Sequence, residues 1–66
     1  MILEEKYAKQ KIDRLDVAEK IIEILKNNNI DTLGKLGNKK LTDLIEIGLS
    51  KGDIDKLGNE FKFYLI

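Results

Sequence analysis

Residues 25 to 36 read LKNNNIDTLGKL, three consecutive asparagines set between leucines and isoleucine, and this run limits what the chain can become. Asparagine is a weak helix former whose side chain competes for backbone hydrogen bonds, yet it tolerates the left-handed turn that ends helices. A helix entering this run therefore stops in it. Asn29 is the expected left-handed residue, and Ile30 the apolar residue that folds back onto the helix just ended. One long helix is excluded, and a set of short ones is implied.

The rest of the chain fits short helices. There is no proline, and no segment alternates apolar and polar residues long enough to read as a strand. Apolar residues recur instead at helical spacing. A leading segment over residues 3 to 12 carries Leu3 and Tyr7 on one side. The first strong helix is expected from Asp16, with Asp16 as N-cap, Glu19 completing a capping-box-like pair, and Val17, Ala18, Ile21, Ile24 and Leu25 as its apolar stripe. Asp31 or Thr32 then caps a brief helix from Thr32 to Leu36. Asn38 opens another over roughly 39 to 47, with Leu41, Leu44, Ile45 and Ile47 apolar. GLSKGD, residues 48 to 53, reads as a loop. A last helix from about Lys51 or Gly52 to the end places Ile54, Leu57, Phe61, Tyr64 and Leu65 on one face, interrupted by Gly58. The expected core is Val17, Ile21, Ile24, Leu25, Ile30, Leu33, Leu36, Leu41, Leu44, Ile45, Ile47, Leu49, Ile54, Leu57 and Phe61.

Composition narrows the function. The 66 residues make one domain at most, with a small core. There is neither cysteine nor histidine, which removes disulfides, thiolate chemistry, the usual zinc sites and imidazole acid/base catalysis. Ser50 has no base partner, and Asp53 and Asp55 read as capping and surface groups. An enzyme is not expected, nor a cofactor or a metal site. The opening MILEEKYAKQ has acids at Glu4 and Glu5 and no long apolar run, so neither a signal peptide nor a membrane span is expected, and the reading is cytoplasmic. Twelve basic residues balance twelve acidic ones for a formal net charge of zero. A nucleic-acid binder ordinarily carries a basic excess that displaces counterions from phosphate, and here the signs are interspersed.

The order of elements carries a resemblance. DRLDVAEKIIEILKNNNIDTLGKL resembles the start of the C-terminal domain of the alpha subunit of bacterial RNA polymerase, through Leu15, Asp16 and Val17, then Leu25 and Lys26, then Asn29, Ile30, Leu33 and Leu36. LTDLIEIGLSKGDIDKL is similar to that family's final two helices, allowing about a one-residue deletion. The resemblance spans roughly residues 12 to 65. It implies an all-α, compact bundle of four to five short helices with a helix-hairpin-helix element near the C-terminus. It divides the chain into an N-terminal arm or short helix, 1 to 11, and the helical domain, 12 to 66. It also implies minor-groove DNA binding and contacts with transcription factors. The family's groove-reading arginine corresponds to Lys20, and the asparagine one turn further on to Glu23. The hairpin positions correspond to Ser50, Lys51, Gly52 and Asp53, and a glutamate of the last helix to Lys56.

Two readings follow. In the first the chain is a stand-alone domain regulating transcription or another DNA transaction through a protein partner, engaged by Phe63, Ile66 and Glu23. Phe63 stands on the polar side of an amphipathic helix, where a large aromatic asks for cover. In the second, Lys20, Lys51, Gly52 and Lys56 hold a DNA backbone. A third variant, a phage or mobile-element protein that inhibits a host factor, shares the surface of the first.

Overall fold

In the computed structural model, Leu3 and residues 5–64 are described; the expectations for Glu4, Leu65 and Ile66 lie outside them. The chain is all-α, and the described residues form five helices: α1 (Glu5–Ala8), α2 (Glu19–Asn27), α3 (Leu33–Gly37), α4 (Leu41–Glu46) and α5 (Lys51–Phe61). Single 3₁₀ turns lie at Ile12–Arg14 and Lys62–Tyr64. The radius of gyration is 10.7 Å, in line with about 11 Å for a compact chain of this length.

The asparagine run ends α2 as its chemistry requires. Asn28 is the C-cap and Asn29 is left-handed, with φ 63°. The Ile30 N–H donates to Leu25 O at 2.9 Å and the Asn29 N–H to Lys26 O at 3.0 Å, the paired bonds of a Schellman turn. The Asn28 side chain adds a bond to Ile24 O at 2.8 Å. Ile30 is thereby driven into the core at 2% exposure. The same device ends α4. Gly48 is left-handed at φ 108°, its N–H donates to Ile45 O, and the Leu49 N–H donates to Leu44 O. Leu49 is buried as Ile30 is.

The helix starts differ among themselves. Thr32 caps α3 by accepting from the Lys35 N–H at 3.2 Å. Ser50 and Asp53 form a reciprocal capping box on α5, both bonds 3.1 Å. Asp43 accepts from the Lys40 N–H at 3.0 Å at the start of α4; this is half a box, since a lysine ammonium cannot accept. Lys51, Gly52 and Asp53 thus form the first turn of α5, and the turn between α4 and α5 is shorter than the GLSKGD loop expected.

Asp16 is not the N-cap of α2. The helix starts three residues later, after an extended Ala18 with no side-chain cap. Tertiary packing overrides the local signal here. Leu15 is buried and extended, and the Asp16 N–H donates to the Glu60 carboxylate on α5 at 3.3 Å, so the lead-in lies across the domain.

The leading segment is helical only over Glu5–Ala8, not over 3 to 12. Its second half turns through Lys9 and Gln10 to an extended Lys11 and is stitched to the chain after α2. The Ile12 N–H donates to Asp31 O at 3.1 Å, the Leu33 N–H to Gln10 O at 2.9 Å, and Lys11 bridges Thr32 in antiparallel fashion. α1 packs on α3, where Gly34 meets Ala8. Tyr64 closes edge-on over Tyr7, with ring centroids 5.0 Å apart.

The core is Ile12, Leu15, Ile21, Leu25, Ile30, Leu33, Leu36, Leu44, Leu49 and Leu57. Two expected members, Leu41 and Ile45, are outside it, at 59% and 54% exposure. α4 has six residues and room for one inward row. Leu44 and Ile47 take that row, and Leu41 and Ile45, four apart, lie on the neighbouring row turned to solvent. Val17, Ile24, Ile47, Ile54 and Phe61 are half-buried at the margin.

Candidate interaction surface

Four residues were expected to meet DNA, and two of them, Lys20 and Lys56, are near enough to Asp53 to act on its carboxyl. Lys20 is in the first turn of α2; Lys51 and Gly52 open α5, and Lys56 follows one turn later. Asp53 lies between them. Its carboxyl is held below the ordinary 3.8, first by the Ser50 backbone N–H and then by the Ser50 side chain, with smaller pulls from Lys20 and Lys56. The first turns of α2 and α5 are therefore electrostatic neighbours, although 33 positions separate Lys20 from Asp53 in sequence. The capping box also occupies the Ser50 and Asp53 amides, which belong to the helix N-terminus a phosphate would approach.

Two further aspartates are lowered in the same direction. Asp13 is lowered mainly by its hydrogen bond from Lys26, at 2.8 Å, and Asp31 mainly by Lys35, at 3.0 Å. A carboxyl lowered on folding binds its proton less readily in the folded state. Its contribution to stability is whole above the unfolded value and is lost as pH falls through the lower folded value. Thermal melts at stepped pH should therefore show these groups' contribution intact down to about pH 5 and declining below about pH 4. Asp53→Asn should flatten part of that acid limb. An acid limb of unchanged shape in this variant would remove Asp53 from the account.

Glu23, expected to face a partner, lies on the outer side of α2 and lines a shallow cleft of about 390 Å³. Asp13, Leu15, Val17, Glu19, Ile22 and Lys26 complete its lining. Glu19, Ile22, Glu23 and Lys26 form one stripe down α2, at the spacing that puts residues on one helix face. Leu15 is buried beneath it, and Val17 and Ile22 are half-buried. Lys26 is bound to Asp13 at the end of the stripe. Neither Glu19 nor Glu23 has an ion-pair partner among the described residues.

Phe63 is 72% exposed in the final 3₁₀ turn, with the Lys62 ammonium 6.0 Å from its ring centroid. Ile66, its expected companion, lies outside the described residues. Leu41 and Ile45 form a second exposed apolar feature. Sequence reasoning placed them in the core because helical spacing does not tell the inner row of a short helix from the outer one. Glu19 was likewise read only as a capping residue. Its spacing of four from Glu23, beside an apolar Ile22, was the signal that it belongs to a lined surface.

Among the described residues no helix is long and apolar enough to cross a membrane. Compared with protein-family models, curated proteins and solved structures, the chain matches none.

Proposed function

We propose that this chain is a helical interaction domain that regulates transcription or another DNA transaction by binding a protein, on a scaffold like that of the polymerase alpha C-terminal domain. The observation that carries the reading is Asp53. It stands among the residues that would grip DNA, within electrostatic reach of Lys20 and Lys56, and locked in place by Ser50. A phosphate entering that face meets a carboxylate, and the Ser50 and Asp53 amides are already bonded. The exposed Leu41, Ile45 and Phe63 support the same reading, because each is a large apolar side chain on a charged surface. The α4–turn–α5 unit, two short helices joined through Gly48 and Ser50, supports the comparison with a helix-hairpin-helix.

DNA binding is the second reading, and one observation favours it: Lys20 on α2 and Lys56 on α5 both act on the carboxyl of Asp53. The two separate in a fluorescence anisotropy titration against AT-rich duplex at about 50 mM salt. A backbone binder should saturate by about 100 µM protein and weaken steeply as salt rises. The interaction-domain reading expects no saturation in that range. Saturable, salt-sensitive binding that is lost on Lys20→Ala/Lys56→Ala would overturn it.

A further inference from the structure

We propose that the cleft beside α2 is a docking site for a basic, amphipathic polypeptide segment, with Glu19 and Glu23 as the charge-recognising pair and Leu15, Val17 and Ile22 as the apolar seat. The inference rests on the protein-binding reading and gives that partner its chemistry.

Three observations choose the occupant. The first is charge. The cleft holds three carboxylates and one ammonium, and Lys26 is already bound to Asp13 at 2.8 Å. Glu19 and Glu23 are left as the open charge, four residues apart on a helix, a spacing at which like charges repel. A helix accepts such a pair at a small cost, and a cation from outside relieves it. An anionic duplex is repelled by the same arrangement. The second is the apolar seat. Ile22 lies between the two glutamates along the stripe, and Val17 from the lead-in segment faces the same cleft. A ligand of charge alone would leave that surface wet. The occupant therefore needs an apolar side chain between its cations. The third is length. Glu19 to Lys26 spans about 10 Å along α2, two helical turns, and carboxylates four residues apart stand about 6 Å from one another at Cβ. Lysines or arginines at the same spacing on a partner helix, bracketing a leucine, match this in number and distance.

The lead-in explains why the cleft exists. Had α2 begun at Asp16, residues 17 and 18 would have continued the helix. Because Leu15 is pinned in the core and Asp16 is tied to Glu60, the lead-in stays out of the helix, and Leu15 and Val17 line the cleft with α2.

The test uses the full chain, isotopically labelled, and a synthetic helical peptide with lysines four apart bracketing a leucine. A peptide carrying glutamate at the lysine positions is the control. Amide shifts should move at Asp13, Leu15, Val17, Glu19, Ile22 and Glu23 with the lysine peptide and not with the control. Affinity should fall about tenfold in Glu19→Lys/Glu23→Lys, a loss of about 1.4 kcal/mol. Ile22→Ser should weaken binding without altering its dependence on salt. Glu19 and Glu23 are exposed and Ile22 is half-buried, so the melts of both variants serve as a check on folding. Three results would overturn the proposal: no shifts with the lysine peptide, binding indifferent to the double reversal, or the same shifts on raising protein concentration alone, which would make the occupant a second copy. If the peptide fails while the duplex also fails to bind, this cleft is wrong and the interaction reading stands on Leu41, Ile45 and Phe63. If the duplex binds through Lys20 and Lys56, the interaction reading itself is wrong.

Discussion

Replacing Ile12 with alanine should cost about 2–5 kcal/mol, the range for deleting a buried branched side chain that leaves a cavity. Ile12 has no solvent exposure, and its own N–H is bonded to Asp31 O, so the site has little freedom to collapse. A 66-residue chain without disulfides rarely has more than about 3–5 kcal/mol to lose. The variant should therefore be largely unfolded at room temperature. If folded, its melting point should drop by at least about 10 °C, at about 4–8 °C per kcal/mol for a domain of this size. Circular dichroism melts read this directly. Leu41→Ala is the matched control: it removes a side chain that is 59% exposed and should stay within about 0.5 kcal/mol of the parent. Equal effects from the two would mean that the segment before α2 is not core.

The second large effect is a difference of sign between two glycines given the same methyl group. A Cβ on Gly34 would lie 2.8 Å from Ala8 O and 3.3 Å from Ala8 Cβ, and the nearer atom is backbone that cannot swing aside. Gly34→Ala should destabilise by about 1–3 kcal/mol, the cost of overpacking, or undock α1 from α3. A Cβ on Gly58, within α5, meets nothing within 4 Å. Gly58→Ala should stabilise by about 0.5–1 kcal/mol, because alanine loses less backbone freedom on forming helix. Denaturant melts of the two variants measure both. Stabilisation by both would contradict the packing of α1 on α3. In that outcome hydrogen exchange at Leu33 and Ile12 should show the N-terminal stitch open.

These glycines mark the boundary of what the sequence discloses. The end of α2 was legible because it is local. Asn29 and Ile30 form a Schellman turn within six residues, and the chemistry of an asparagine followed by an apolar residue specifies it. The role of Gly34 was not legible. On its own helix it only weakens, and its purpose is an approach by Ala8, 26 positions away. Ile12 and Leu15 were missed for the same reason. Each is a single apolar residue among charges in KIDRLD, with no periodic partner to mark it as inward. Leu41 and Ile45 erred in the opposite direction, being periodic and yet outward. The candidate site divides in the same way. That Lys20, Lys51 and Lys56 are exposed could be read from helical spacing. That Lys20 on α2 acts on Asp53 in the first turn of α5 could not, because it depends on how α2 and α5 meet.

The central claim is that the face built from those first turns is closed to nucleic acid and that the protein works through protein contacts. It is tested most directly by recording amide shifts of the labelled chain during titration with AT-rich duplex at low salt. The account predicts no saturable shifts at Lys20, Lys51, Gly52, Asp53 or Lys56 at any duplex concentration up to about 100 µM. Saturable shifts centred on those five residues, and weakening steeply as salt is added, would contradict it.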